Sequence, residues 1–390
     1  MTEPTDRPAG DLLLGCGDSG PELALAFERL GVDVTHVQEC PDADAVVALL
    51  DEHQPDYVVA VSADVPSAVL IAAAERESVV VFPTPRATRL GADREGLRKL
   101  AGDELGLPTV PFWFASSSEE LAAVAGHAGF PLLVSPLTGP VAEGQSVLTR
   151  PDDVEPAWKR AIAAGPTFLP NRVMAETVVD VDDEVTLLTV RTTEPSGPAV
   201  QFCEPIGHRR AGALRPGESD RRAGEQRPGE SDRRGEGAPL ETWQPQQLSL
   251  AALDAARSIA ARIVHSLGGR GVFAVELLVR GDEVYFATVN AQPFDLGLVT
   301  IRSQRLSQFE LHARAILGLS VDTIMISPAA AEVGTRRPVA RSAMIEALDV
   351  PESDVRLLGT TSVALATAPD VVRARDRAHR VSTVVHGLGS

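Results

Sequence analysis

The sequence predicts an α/β protein of two or three domains, and three observations carry that expectation. Through the first third, strand-like apolar runs alternate with helical periods of about ten residues, the pattern of βαβ units on a parallel sheet. From Ala87 to Thr192 the pattern changes to mixed strands and helices, which reads as a separate α+β lobe. The chain has 390 residues, 44% of them hydrophobic and 23% charged, enough to bury a core without disulfide or metal staples.

The elements follow in order. Leu12–Gly15 reads as a buried strand and Pro21–Leu30 as a helix, with Ser19 at its N-cap, Pro21 in the first turn and Gly31 past the end. Val34–Gln38, Tyr57–Val61 and Val79–Phe82 read as strands, separated by helices at Ala43–Glu52 and Val65–Glu75. Ala87–Leu105 reads as one helix closed by Gly106 and Pro108. Strand-like VPFWFA follows, then a helix at Ser118–Ala128, the strand FPLLVSPL, a strand at Gly144–Thr149 and a helix at Val154–Ala164. Arg172–Val179 and Glu184–Thr192 read as two strands about a turn. Residues 210–238 carry the octapeptide RPGESDRR twice and almost nothing apolar, so they read as a disordered insertion grown by duplication. Leu250–Leu267 is a helix, Val272–Val279 and Glu283–Val289 a strand pair, and Ser303–Leu317 a helix. A small unit of short strands and one helix, Ala368–Val381, completes the chain. The domain boundaries expected from this are 1–110, 111–319 and 320–390.

Composition narrows the function classes. The 54 acidic residues outnumber the 36 basic ones, for a net charge of −18, which argues against nucleic acid or an anionic membrane as the main partner. No apolar run is long enough to span a bilayer, and no secretory signal is read at the N-terminus. Cys16, Cys40 and Cys203 are odd in number and scattered, so neither a disulfide framework nor a thiolate metal site is expected, and a reducing cytoplasm fits. Lys99 and Lys159 are the only lysines, so chemistry that needs an ammonium has two candidates.

Two motifs bear on chemistry. GCGDSG (Gly15–Gly20) matches G-x-G-x-x-G, follows a strand and opens a helix, with Glu39 about twenty residues on. It reads either as a dinucleotide loop or as a tight turn in a sheet that binds something else; Asp18 within it would repel a pyrophosphate. The second motif is the strand pair that carries Glu276 mid-strand and Asn290 near its end. A carboxylate in an apolar strand is costly unless paired or coordinated, and carboxylate and amide oxygens beside phosphates suit Mg²⁺. The plain alternative is a salt-bridged glutamate.

The order of segments resembles the ATP-grasp superfamily and, within it, the formate-dependent phosphoribosylglycinamide formyltransferases. The matching strings are LLLGCGDSG, DREGLRKLA, DDEVTLLTV, PIGHR, WQPQQ, FAVELLVRGDEVYF and SVALATAPDVV. The resemblance implies an ATP-grasp fold with an N-terminal parallel-sheet domain, a small C-terminal domain, a homodimer, and ATP with Mg²⁺ as cofactors. It also implies that the glycine loop holds a ribotide rather than a dinucleotide. Formate would attack the γ-phosphate of ATP, and the amine of glycinamide ribonucleotide would take the formyl group from formyl phosphate. Arg94 matches a phosphate-binding arginine, Glu176 with Val178 and Val179 the adenine hinge, and Glu184 the carboxylate on the ribose hydroxyls. Gly144 and Gln145 match the end of the phosphate loop, Glu276 one metal ligand with Asn290 beside it, Asp18 and Ser19 the substrate loop, and Asp295 a substrate contact.

Against the family pattern, phosphate-binding cations are missing. Ser135 stands where the family has a lysine, and GPVAEGQ replaces the family's serine-rich loop, with Pro140 and Val141 at donor positions and Glu143 at a lysine. Thr288 replaces the second metal glutamate, and Ala63, beside Asp64, replaces an acidic substrate residue. Gln292 stands where the family has an arginine. Compared with the family, the loop of one lysine and two arginines for the ribotide phosphate reads as deleted, since RLLG (Arg356–Gly359) runs almost directly into SVALA, and no arginine replaces it locally. The expectation is a member with a degenerate active site. Two other classes stand beside it: a non-catalytic nucleotide-sensing or partner-binding protein, and an ATP-grasp ligase with an acceptor that lacks a phosphate.

Overall fold

The computed structural model describes residues 10–15, 17–62, 65–137, 144–165, 171–194, 197–210 and 239–387. The duplicated insertion therefore lies outside the described residues, as do Cys16, Ala63, Asp64, Pro140, Val141 and Glu143. Three sheets organise the rest. The first contains β1 (Gly10–Leu14), β2 (Asp33–Val37), β3 (Tyr57–Ala60) and β4 (Val80–Phe82), all parallel, in the order β2-β1-β3-β4. Helices Gly20–Glu28, Ala43–His53 and Ser67–Ala74 make the crossovers, as the alternation predicts.

The second sheet is small and antiparallel. It contains β5 (Phe112–Ala115), β6 (Leu132–Pro136), β7 (Ser146–Leu148) and β8 (Val173–Thr177), in the order β5-β8-β6-β7. Period-two alternation divides its faces. Ala115, Leu132, Val134, Leu148, Val173 and Ala175 pack against helices Ser118–Ala128 and Val154–Ala164. Phe112, Phe114, Leu133, Ser135, Met174 and Glu176 share the other face.

The third sheet has nine strands: β9 (Asp183–Glu194), β10 (Gly197–Phe202), β11 (Ile206–Arg210), β12 (Leu240–Gln244), β13 (Gly271–Arg280), β14 (Glu283–Asn290), β15 (Ala329–Thr335), β16 (Ser353–Leu358) and β17 (Thr361–Thr367). Eight follow the order β14-β13-β9-β11-β12-β15-β17-β16, and β10 pairs with β9. Helix Leu250–Leu267 covers one face through Ala256, Ile259, Ile263 and Leu267.

Several sequence expectations are corrected. The helix expected over Ala87–Leu105 is broken at Asp93, which is extended (φ −102°, ψ 91°), and its carboxylate accepts from Gly96 N–H at 2.9 Å to start a new helix, Arg94–Lys99. The helix expected over Ser303–Leu317 runs Gln308–Ile316, because Ser307 and Glu310 form a reciprocal capping box. Ser19 occupies the N-cap position of its helix but makes no side-chain cap, since its backbone is already helical. The strand Glu184–Thr192, placed with the α+β lobe, instead pairs with β13 in the large sheet. Strands β10, β11 and β12 were not predicted. The C-terminal unit has two helices, Arg341–Leu348 and Val371–His386, and its strands continue the large sheet through the β12–β15 pairing.

One buried cluster links the three segments. Leu13, Leu23, Phe27, Val59 and Phe82 from the first sheet's region pack with Leu188, Val272, Leu296 and Phe309, and with Val333, Val363 and Leu365. No helix among the described residues is long and apolar enough to cross a membrane.

Candidate nucleotide and substrate site

Helix Arg94–Lys99 brings its cations to the uncovered face of the small sheet. Arg94 and Arg98 are four residues apart and so lie on one side of the helix. Arg94 donates through Nη1 to the carbonyl of Pro136 at 2.6 Å, where β6 ends. Burial holds its guanidinium below the ordinary arginine range, and Glu176 opposes that shift. Arg98 is buried, donating to Glu176 Oε1 at 2.5 Å and to the carbonyl of Phe286 at 3.0 Å, with its guanidinium over the Phe112 ring. Burial raises the Glu176 carboxyl above its usual range, and Arg98 and then Arg94 pull it back.

Sequence reasoning missed Arg98. Its signal was available as the i, i+4 repeat with Arg94, but the partner Glu176 lies 78 residues away. The Glu176 side chain is thus committed to the small sheet's hold on β14. Val178 N–H donates to Pro131 O at 3.2 Å, and Val178 and Val179 are half-buried just past β8.

Ser135 is buried on β6, on the same face as Glu176 and Met174. Its hydroxyl accepts from Gln145 Nε2 at 3.2 Å, so two of the expected nucleotide positions meet each other. Gly144 packs so closely that a Cβ there would stand 2.7 Å from Pro136 Cγ. Neither lysine sits at Ser135: Lys99 pairs with Glu95 and lies over Phe114, and Lys159 pairs with Glu155.

The large sheet supplies the other wall. In register, Glu276 on β13 lies between Thr186 on β9 and Thr288 on β14. Glu184 is two residues from Thr186 and Asn290 two from Thr288, so all five share one strand face. Burial, with the Glu184 charge next, pushes the Glu276 carboxyl up to about 7. The Thr186 hydroxyl is buried without a hydrogen-bond partner. His208 Nδ1 lies 3.8 Å from Glu184 Oε2. An under-neutralised carboxylate beside hydroxyl and amide oxygens is a donor set of the kind Mg²⁺ takes. Among the described residues no three His, Cys, Asp or Glu side chains form a group that could hold a metal.

The glycine loop lies at the carboxyl end of β1. Its glycines serve close packing: a Cβ on Gly17 would meet Val61 Cγ1 at 2.8 Å, and one on Gly20 would meet His36 Cε1 at 2.3 Å. His36 donates through Nε2 to Gly15 O at 3.1 Å. Ser19 is buried. Asp18 accepts from Thr360 N–H and from Thr360 Oγ1, each at 2.9 Å. Thr360 belongs to the two-residue turn between β16 and β17, so the candidate substrate carboxylate is bound to that turn. Arg336, at the end of β15, donates to the carbonyl of Gly359 at 3.2 Å. Arg336 thus reaches this turn from 23 residues away. Asp295 opens a short 3-10 turn, partly exposed, after β14.

The chain is similar to several known proteins. A family model described as the ATP-grasp domain matches residues 100–215 and 230–309. The formate-dependent phosphoribosylglycinamide formyltransferase of Corynebacterium efficiens is 40% identical, with 96% of each chain covered. That of Rhodococcus jostii is 39% identical over 96% of this chain and 94% of its own. The structure of glycinamide-RNase-transformylase T from Mycobacterium tuberculosis is 47% identical with a TM-score of 0.79, covering 96% of this chain and 99% of that one. An ADP complex of N5-carboxyaminoimidazole ribonucleotide synthetase shares the fold at 18% identity, with a TM-score of 0.79 over 99% of both chains.

Proposed function

The chain belongs to the formate-dependent phosphoribosylglycinamide formyltransferase family, and from that premise we propose that it binds ATP with a weakened grip on the triphosphate and carries out formate activation slowly. The adenine rests on backbone groups of Glu176–Val179. Glu184 takes the ribose hydroxyls. Arg94, at the end of β6, meets the phosphates. Glu276 and Asn290 would hold Mg²⁺, which would neutralise developing phosphate charge. In the family reaction a formate oxygen attacks the γ-phosphorus and ADP leaves; the acceptor amine then displaces phosphate from formyl phosphate. Catalysis of such transfers is mostly positioning and charge neutralisation, so each absent cation lowers the rate.

The observation that carries the proposal is the Ser135–Gln145 hydrogen bond. A neutral hydroxyl paired with a neutral amide occupies the place of a family ammonium. One charge-assisted contact is worth roughly 1.5–3 kcal/mol, or about tenfold to a hundredfold in affinity. Titration calorimetry with Mg·ATP tests this. Wild type should bind no tighter than the millimolar range, and Ser135→Lys should tighten binding by about tenfold or more. Micromolar affinity of wild type, with brisk formate-dependent ADP release, would overturn it. Assembly as a homodimer is proposed with this reading and is read by sedimentation.

A further inference from the structure

We infer that Gln308 is a positioning residue for the acceptor: its side-chain amide grips both backbone polar groups of Phe294 and so fixes the turn that presents Asp295. This rests on the formyl-transfer reading above, with Asp295 as an acceptor contact.

The segment that follows β14 is packed into the interior. Gln292 and Pro293 are buried, and so is every residue from Leu296 to Thr300; between them only Phe294 and Asp295 reach solvent in part. Asp295 is the one charged residue of this stretch and opens the 3-10 turn Asp295–Gly297, which touches β9, β11 and β12. A carboxylate at the head of so deeply packed a turn stands where the turn's own anchors put it.

Buried backbone needs partners for its N–H and C=O groups. Gln308, fully buried at the start of helix Gln308–Ile316, supplies both for Phe294. Phe294 N–H donates to Gln308 Oε1 at 3.1 Å, and Gln308 Nε2 donates to Phe294 O at 2.9 Å. A primary amide accepts and donates side by side; a carboxylate only accepts, and a thioether does neither well. The fit is close, since a Cβ on Gly297 would stand 2.0 Å from Gln308 Oε1. Thr300 completes the ring: its hydroxyl donates to Gly297 O at 2.5 Å and accepts from Gln308 N–H at 2.9 Å.

The gripping helix is itself fixed. His312, one turn after Gln308, accepts from Val272 N–H through Nδ1 at 3.0 Å, at the start of β13. On the other side of the turn, the Ser303 hydroxyl donates to Gln244 Oε1 on β12. Asp295 is thus referenced to the large sheet through Gln308. Asn290 is held separately, by pairing with Ala274. Loosening the grip should therefore shift Asp295 and leave the nucleotide wall in place. A misplacement of ~1 Å can cost about a hundredfold where a substrate must be aligned.

The test uses the full chain. Calorimetry measures the affinity for glycinamide ribonucleotide and, separately, for Mg·ATP in wild type, Gln308→Met, Asp295→Asn and the double variant. Gln308→Met keeps the volume and removes both bonds. It should weaken ribonucleotide binding by about tenfold or more, hold Mg·ATP binding within about twofold of wild type, and have no further effect once Asp295→Asn is present. Unchanged ribonucleotide affinity, additive losses in the two backgrounds, or equal loss of both ligands would overturn the inference, the last two leaving Gln308 a structural residue only. Should Gln308→Met fail to fold, Thr300→Val, which removes the hydroxyl between Gly297 and Gln308, replaces it. If wild type itself does not bind the ribonucleotide, the acceptor reading fails instead. Hydrogen exchange of the Phe294 amide then decides the grip: it should be protected in wild type and exchange about tenfold or more faster in the variant, and equal rates would overturn it.

Discussion

At the level of single residues, Glu276 and Glu176 face the same problem and solve it differently. Each is a carboxylate on an otherwise apolar strand. Glu176 has a buried guanidinium at 2.5 Å, which offsets part of the rise that burial causes in its carboxyl. For Glu276, burial and the Glu184 charge hold its carboxyl up to about 7. A raised folded-state value means that Glu276 adds to stability while it is protonated, fully so below its unfolded value near 4.5, and that this contribution is lost as pH rises through about 7. Glu276→Gln removes the penalty. The variant should match wild type in urea denaturation below pH ~5 and exceed it by up to ~3 kcal/mol above pH ~8. It should also lose the Mg²⁺-dependent part of nucleotide binding. Equal stability of the two proteins at high pH would show that the carboxylate is already compensated.

Among the elements, helix Arg94–Lys99 matters most, because its start sets where Arg94 and Arg98 point. Asp93 creates that start by capping Gly96 N–H. Asp93→Ala should cost about 1 kcal/mol of stability and weaken nucleotide binding further, since the cap fixes the register of both arginines. Calorimetry on the variant checks it; unchanged binding would mean that the contacts of Arg98 alone hold the helix. The sequence carried much of this level and hid some of it. Helices such as Ser118–Ala128, Val154–Ala164 and Leu250–Leu267 were legible to the residue because each has a serine, arginine-led turn or glycine at its boundary and an uninterrupted apolar stripe. Asp93 was read as part of a longer helix because propensity alone continues through it. Strands β11 and β12 went unseen because each has five residues and the charged insertion lies between them, so neither shows a pattern until they pair. At the site, Glu276 was visible as a lone carboxylate in an apolar run. The Asp18–Thr360 contact, 342 residues apart, leaves no mark in local pattern.

Taken whole, the molecule shares one interior among segments that read as three domains. Leu13 and Phe27 from the first sheet's region, Leu188 and Phe309 from the middle of the chain and Leu365 from its end are all buried in a single cluster. The large sheet also runs without a break from β14 to β16. Interfaces that bury apolar side chains as a core does couple the stability of the parts they join. Asp18 and Arg336 join the first and last of the same segments by hydrogen bonds to the turn Gly359–Thr360. Phe309 is the most informative residue to remove, because it is fully buried and its helix touches both β9 and β13. Phe309→Ala should cost about 3–5 kcal/mol. The loss should appear in amide exchange of β1 as well as of β13, and calorimetric unfolding should remain one transition with its midpoint lowered. If the first sheet instead kept its protection while the large sheet lost its own, or if the transition split, the three segments would be independent folding units.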